Sequence, residues 1–288
     1  MSRFGVVGDP IEHSKSPAMH AAAYRALGMA HTYVAIRARR EELGGLVQRL
    51  RIGEFDGLNV TVPHKLAVLA FTDARDPWVD LVGAANTLVR TPEGKILASN
   101  TDAPALAEEI RGLAPECQDW SSRKALVLGT GGAALSAVAA LVSSLRVAHV
   151  EIRGRAFDDP TRATVAREPF ETLLAKAARG TTVSFAPLRP SATDSTFAVV
   201  LQGTSAGMTG AESGDTVANA VTWGALPASA VALDVVYAPP ETPFVAAARS
   251  HGVRVANGFG MLARQGALAF EMWLHVPAPY NAMLTALV

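Results

Sequence analysis

The chain is nearly free of cysteine. Cys117 is the only one in 288 residues, so no intrachain disulfide can form and no cysteine-based zinc site can be assembled. A lone thiol fits a reducing compartment. The chain also lacks an excess of either charge, since Lys+Arg and Asp+Glu are both 26. Without a basic surplus there is no general electrostatic pull towards nucleic acid or an anionic membrane, although a local basic pocket stays open. Long apolar runs are missing too. The N-terminal MSRFGVVGDPIEHSKSP is soon broken by Gly8, Asp9 and Pro10. The longest apolar stretch, 133–150, is interrupted by Ser136, Ser143, Ser144, Arg146 and His149, which is too polar to span a bilayer. The expectation is a cytoplasmic protein with no secretory leader and no membrane partner.

What is present is ample apolar material, 49% of residues, on a length that suits two domains. Phe4–Val7, Thr32–Ile36 and Gly57–Val62 read as strands. Pro17–Leu27 and the amphipathic Arg40–Arg51 read as helices, the latter with Leu43, Val47 and Leu50 on one face. Pro63 is expected to start a helix, where proline is tolerated. Leu81–Val89 and Ile96–Ala98 suggest a hairpin around Pro92-Glu93-Gly94, followed by a helix over Ala103–Leu113. Further on, Lys124–Leu128 (KALVL), Val147–Ile152, Phe197–Gln202 and Ala230–Val236 read as strands. Leu135–Leu145, Pro243–His251 and Gly260–Trp273 read as helices. Gly203–Ala220 reads as loop, and Arg153–Pro190 is the least readable stretch. Strand–helix alternation predicts an α/β layer structure.

Two groups of residues carry chemistry. The first is a glycine turn. Gly129, Gly131 and Ala134 have the G-x-G-x-x-G/A spacing, directly after a continuous apolar strand and at the opening of a helix. Glycine allows the tight turn and the close approach of backbone to a pyrophosphate, which the helix N–H groups then bind. The second strand of such a unit ends here in Ile152-Arg153-Gly154-Arg155. An acid at that tip would accept the ribose hydroxyl of NAD. Two arginines instead suit the 2′-phosphate of NADP, so Arg153 and Arg155 predict NADP.

The second group is polar. Lys65 closes NVTVPHK (Asn59–Lys65), Asp102 closes NTD (Asn100–Asp102), and GAANT (Gly83–Thr87) lies between them. A lysine and an aspartate near one hydroxyl can move a proton, while a nicotinamide moves the hydride. His13, His20 and His64 match no usual ligand spacing, so no metal is expected. Phe270 and Trp273 lie at helical spacing and read as core.

These segments, together with GDPIEHSKSPAMH (Gly8–His20), GTSAGM (Gly203–Met208), DVVYAPPETP (Asp234–Pro243) and GFGMLARQGALAFEMW (Gly258–Trp273), resemble the shikimate dehydrogenase family in family order. The resemblance implies two domains: an α/β substrate domain formed by 1–102 and 237–288, and an inserted Rossmann-type dinucleotide-binding domain, 103–236. It implies reversible NADPH-dependent reduction of 3-dehydroshikimate to shikimate, a step towards aromatic amino acids. Lys65 and Asp102 would be catalytic. Ser14 and Ser16 would hold the substrate carboxylate. Thr61, Asn86, Asp102 and Gln265 would bind its hydroxyls with Lys65 at the reacting oxygen, Asn59 would also line the substrate, and Tyr237 would close the pocket. Gly129, Thr130, Gly131, Gly132, Ala133, Arg153, Arg155, Thr204, Val235, Gly258 and Met261 would hold NADP. The chain departs from the family pattern at Gly154 and Gln202, where asparagine is usual.

Two other readings stay open. One is a relative acting on quinate or aminoshikimate, although Ser16 leans towards shikimate because quinate-preferring members often carry threonine there. The other is a non-catalytic protein that senses NADP or a metabolite, against which both Lys65 and Asp102 are present. The apolar tail PAPYNAMLTALV packs either on its own domain or on a second copy in a homodimer.

Overall fold

The computed structural model describes residues 1–177 and 180–288. They form two compact units, one made of Met1–Ala105 with Leu262–Val288 and the other of Leu106–Met261.

The first unit begins with β1 (Arg3–Gly8), α1 (Ser16–Ala26), β2 (Thr32–Arg37), α2 (Leu43–Arg51) and β3 (Gly57–Val60). It continues with β4 (Ala74–Arg75), α3 (Pro77–Val82), β5 (Thr87–Arg90) and β6 (Ile96–Ser99), and α4 (Asp102–Leu113) follows. The sheet order is β2-β1-β3-β5-β6-β4. β1 is parallel to both neighbours, and β5 is antiparallel to β3 and β6. The central strands are covered on both faces, which is why they read as continuous apolar runs. Leu43, Val47 and Leu50 of α2 pack on Leu58, Val60, Leu88 and Ile96, as their spacing predicts.

Two expectations fail in this unit. No α-helix starts at Pro63. The chain turns there, with the His64 N–H donating to Thr61 O at 2.9 Å. The buried His64 ring is held against Ala38 O at 2.7 Å, and helical winding resumes only as the 3₁₀ segment Ala67–Phe71. Nor does a strand begin at Leu81, which lies in α3. Asp76 caps that helix by accepting from the Val79 N–H at 2.7 Å, and Gly83 ends it at φ 74°. An Asp-Pro start and a glycine stop are helix signals that outweigh β-branched content over so short a span.

The second unit contains β7 (Lys124–Leu128), α5 (Gly132–Ala139), β8 (His149–Arg153), α6 (Pro160–Lys176) and β9 (Thr182–Ala186). Then come β10 (Phe197–Gln202), α7 (Asp215–Ala218), β11 (Val231–Asp234), α8 (Pro243–Ser250) and β12 (Arg254–Ala256). Its sheet is parallel throughout, in the order β12-β11-β10-β7-β8-β9, the arrangement of a doubly wound dinucleotide-binding domain. The expected helix over Leu135–Leu145 is α5 continued by a π-turn, Ala140–Leu145, which ends at Arg146 with φ 57°. The unreadable stretch holds α6 and β9.

The chain enters the second unit within α4 and leaves it within α9 (Gly258–Leu274), before α10 (Tyr280–Thr285). The return therefore lies at Met261/Leu262 rather than at the expected 236/237. β12 extends the second sheet by pairing with β11, which keeps α8 and β12 in that unit. The apolar tail packs on its own unit, with Met283 and Leu287 buried. Among the described residues, no helix is long and apolar enough to cross a membrane.

His20 lies at the centre of an aromatic cluster in the first unit. Its ring stacks on Tyr33 at 4.2 Å and lies 5.7 Å from that of Trp273. Neither ring nitrogen has a hydrogen-bond partner, and burial pushes the imidazole from 6.5 down to about 3. The unfolded chain takes up this proton below pH 6.5 and the folded chain does not. Stability is therefore full above that pH and falls as pH drops towards 3, by up to about 1.4 kcal/mol per pH unit from this one group. His20→Phe should lose that slope. Urea titrations at several pH values would check it, and parallel stability curves for variant and wild type would refute it.

Candidate functional site

Lys65 stands at the end of the turn after β3, and its carbonyl accepts the Ala85 N–H at 2.9 Å. That bond ties the lysine backbone to the GAANT segment. Asp102 is the first residue of α4. Asn100 holds this helix start, with Oδ1 accepting the N–H groups of Asp102 at 3.1 Å and Ala103 at 3.2 Å. Asp102 is thus relieved of capping duty and its carboxylate faces inward.

The Lys65 ammonium donates to Asp102 Oδ2 at 2.6 Å. The other carboxylate oxygen, Oδ1, accepts from Asn86 Nδ2 at 2.8 Å. The same amide lies 2.9 Å from Thr101 Oγ1 and 3.3 Å from Gln265 Oε1. Two amide protons face three acceptors, so the longest contact, to Gln265, is the one most readily given up to a ligand. Asn86 Oδ1 accepts the Thr101 N–H at 2.8 Å. Asn59 Nδ2 donates to Asn86 O and Thr87 Oγ1, and Tyr33 donates to Asn59 Oδ1 at 2.7 Å. Burial pushes the Tyr33 phenol well up, against a pull from Ser16 beside it, so Tyr33 stays a neutral donor.

The cluster is buried at one end and open at the other. The Asp102 side chain is 9% exposed and that of Lys65 31%. A fixed carboxylate thus aims an ammonium whose remaining protons reach solvent or a bound molecule, an arrangement suited to proton transfer at one hydroxyl or carbonyl. Of the expected residues, Lys65, Asp102, Asn86, Gln265 and Asn59 meet here, with Ser16 linked through Tyr33. Ser14 Oγ accepts the Ser16 N–H at 3.3 Å. Among the described residues, Ser14 and Thr61 make no side-chain hydrogen bond to the cluster. Thr101 and Tyr33 were not anticipated. Thr101 had a signal, since it lies inside NTD, whereas Tyr33 reads as plain β-strand core.

In the second unit, β7 is followed directly by Gly129, whose φ is 115°. A Cβ there would be strained and would meet Thr204 Cγ2 at 2.6 Å, so Thr204 packs over the turn. A Cβ on Gly131 or Gly132 would meet nothing within 4 Å, and α5 starts with no side-chain cap. The first N–H groups of α5 are therefore available to an anion. Gln202, fully buried, shapes the next loop, with Oε1 accepting the Thr204 N–H at 2.5 Å and Nε2 donating to Ala206 O at 3.0 Å. Its longer side chain satisfies two backbone groups of this turn, which accounts for glutamine at a position where asparagine was expected. Asp234, pushed up to about 6 by burial against its bonds from Thr242 and Val236, holds the segment through Val235. Gly258 packs against the Val235 and Val236 backbone, donating to Val236 O at 2.9 Å. Tyr237 belongs to this unit, where its ring lies 5.6 Å from that of Phe259. Met261 is half-buried at the second-unit end of α9.

The two arginines at the tip of β8 differ completely. Arg155 is exposed. Arg153 is fully buried, donating to Glu151 at 2.7 Å, Asp194 at 2.6 Å and Ala220 O at 2.9 Å. Its guanidinium is taken up inside the protein, so the expectation that it reaches a ribose phosphate is corrected. Arg153 is the last residue of β8, whereas Arg155 opens the 3₁₀ turn that follows the strand. Gly154 between them is required by its neighbour, because a Cβ would lie 2.6 Å from Thr130 Cγ2.

Comparison with known proteins points to one family. The model of the shikimate dehydrogenase substrate binding domain matches residues 6–88, and that of the shikimate 5′-dehydrogenase C-terminal domain matches residues 258–288. A shikimate dehydrogenase (NADP(+)) of Citrifermentans bemidjiense is 39% identical, with 98% of this chain and 93% of the relative covered. The crystal structure of shikimate 5-dehydrogenase from Thermus thermophilus in complex with NADP(H) and shikimate has 31% identity and a TM-score of 0.79, covering 100% of this chain and 98% of that one. The Listeria monocytogenes shikimate 5-dehydrogenase in complex with shikimate and NAD has 28% identity and a TM-score of 0.85, covering 100% and 96%.

The burial of Arg153 makes it a structural residue. Arg153→Met would leave the Glu151 and Asp194 carboxylates without their cation. It should lower stability by about 3–5 kcal/mol, as loss of one partner from a buried pair does. Urea unfolding of the variant checks this. Wild-type stability combined with weakened cofactor binding would restore Arg153 as a ligand.

Proposed function

The chain belongs to the shikimate dehydrogenase family, and from that premise we propose that it catalyses the reversible NADPH-dependent reduction of 3-dehydroshikimate to shikimate. The observation that carries this reading is the Lys65–Asp102 pair at 2.6 Å, with Asn86 on the second carboxylate oxygen and Gln265 beside it. A cyclohexene carboxylate with several hydroxyls asks for this mixture: short uncharged donors and acceptors, one cation and one anion.

When bound, NADPH supplies the hydride. The second unit suits it, because Gly131 and Gly132 face open space at an uncapped helix start. Gly129, Thr130, Gly131, Gly132 and Ala133 would hold the pyrophosphate, and Thr204, Val235, Gly258 and Met261 the rest of the nucleotide. Arg155 would hold the 2′-phosphate through parallel N–H groups.

The remaining steps belong to the protein. As negative charge grows on the carbonyl oxygen, the Lys65 ammonium stabilises it and donates the proton. Asp102 fixes the ammonium through one oxygen and is itself fixed by Asn86 through the other, so little reorganisation is needed during reaction. In the reverse direction Lys65 takes the proton back and passes it to solvent, which its partial exposure permits. Ser14 and Ser16 would bind the substrate carboxylate, with Asn59, Thr61, Asn86 and Gln265 at its hydroxyls. Tyr237 joins them through the family resemblance alone. A cytoplasmic location completes the proposal, resting on the single cysteine and balanced charge.

The direct test is oxidation of shikimate, quinate and aminoshikimate with NADP and NAD, followed by nicotinamide absorbance. Shikimate with NADP should be the most efficient pair, and faster turnover of quinate or aminoshikimate would move the assignment within the family. Lys65→Ala should lower turnover roughly 10²–10⁴-fold, the scale of general acid–base catalysis. Its KM should change much less because the uncharged ligands remain. Arg155→Ala should cost roughly ten-fold in efficiency with NADP, the scale of a lost charged hydrogen bond, and little with NAD. An undiminished NADP preference in that variant would exclude Arg155 as the discriminator.

A further inference from the structure

We infer that Glu212 is a built-in competitor for the cofactor's 2′-phosphate, occupying the guanidinium of Arg155 until the phosphate displaces it. The inference rests on the reading of Arg155 as the 2′-phosphate ligand, and it assigns a role in cofactor choice to a residue of the loop after β10.

Arg155 Nη1 donates to Glu212 Oε2 at 2.7 Å, and Nη2 donates to Oε1 at 2.8 Å. Two parallel N–H groups facing two oxygens is the geometry in which guanidinium binds phosphate as well as carboxylate. The carboxylate therefore stands where two phosphate oxygens would stand, and the two anions cannot share the fork. The glutamate is placed there by its own loop. Glu212 O accepts the Gly207 N–H at 2.8 Å, and Ala211 N donates to Met208 O at 2.9 Å. The loop is thus folded back on itself and presents the carboxylate to the tip of β8. Asp158, three residues after Arg155, is held by Arg189 at 2.9 Å, so it does not take the same role.

The pair is also easy to break. The Arg155 and Glu212 side chains are 63% and 43% exposed, and an exposed ion pair contributes little to stability. A near-dianionic phosphate out-competes it, whereas the ribose hydroxyl of NAD has no charge with which to do so. Glu212 thereby weakens NADP binding modestly and sets how much of the Arg155 interaction the cofactor realises.

The test is equilibrium binding of NADP, NAD and adenosine 2′,5′-bisphosphate to the full-length protein and to Glu212→Gln, with Glu212→Ala as a second variant. In either variant the Kd for NADP and for the bisphosphate should fall roughly two- to five-fold, the range that an exposed pair allows, with NAD unchanged. The gain should vanish in an Arg155→Ala background and shrink at high salt, where the wild-type pair is screened. Weaker binding of NAD in Glu212→Gln would overturn the inference by making Glu212 a ribose ligand. Unchanged NADP affinity, or a gain that persists without Arg155, would overturn it equally. If the wild type oxidises shikimate with NADP while Glu212→Gln binds like wild type, only this inference fails. If the wild type binds no NADP, the functional reading fails with it.

Discussion

The first unit turns on one side-chain amide. Asn86 is almost fully buried, at 3% exposure, and a buried amide has to find partners for its donors and its acceptor. It finds them in Thr101, Asp102 and Gln265. These residues come from the start of α4 and from α9, far apart in the chain. One hydrogen-bond requirement thus brings a distant helix to the segment that holds the acid. Asn59 then joins through the Asn86 carbonyl and Thr87. The Asp102 carboxylate, fixed on one oxygen, is left with the other to orient Lys65. The cluster works as a unit because a partly satisfied buried network costs more than an apolar replacement.

A similar logic separates the two cations at the tip of β8. Arg153 and Arg155 are two residues apart in a polar stretch, and side by side they look equivalent. Tertiary packing gives one a pair of carboxylates, a carbonyl and the face of Phe197. The other is left at the surface with Glu212. A buried guanidinium with this many partners cannot turn outward without exposing unpaired carboxylates to a low-dielectric interior. Of the two, only Arg155 keeps its guanidinium at the surface. Gly154 follows from the same crowding, since the Thr130 methyl fills the space a side chain would need.

Parts of the fold were legible because local signals and tertiary outcome agree. KALVL becomes β7 over the expected residues, since a central parallel strand is apolar on both faces and needs no partner information to be read. The α2 stripe of Leu43, Val47 and Leu50 is buried as its spacing requires. The failures occur where short-range signals compete. At Pro63 the buried His64 and its bond to Ala38 hold a turn in a place that also permits a helix start. At Leu81 the Asp76 cap and Gly83 stop define a helix too short for hydrophobic period to reveal. The second crossing was misplaced because membership of β12 in a sheet depends on its pairing with β11, and three residues carry too little pattern to announce it.

By itself the sequence determined the chemistry available: one lysine, one aspartate, their uncharged companions, and a glycine turn between an apolar strand and a helix. Residue identity and short spacing set these, since donor types, helix starts and tight turns are local properties. Only the tertiary structure decided which groups meet and which are consumed. It placed Gln265 at Asn86, across 179 positions of chain, and brought Tyr33 to Asn59. It buried Arg153 against Asp194 and put Glu212, from a separate loop, on Arg155. Those pairings depend on burial and long-range packing, which assign partners to polar groups only after the sheets and helices have closed around them.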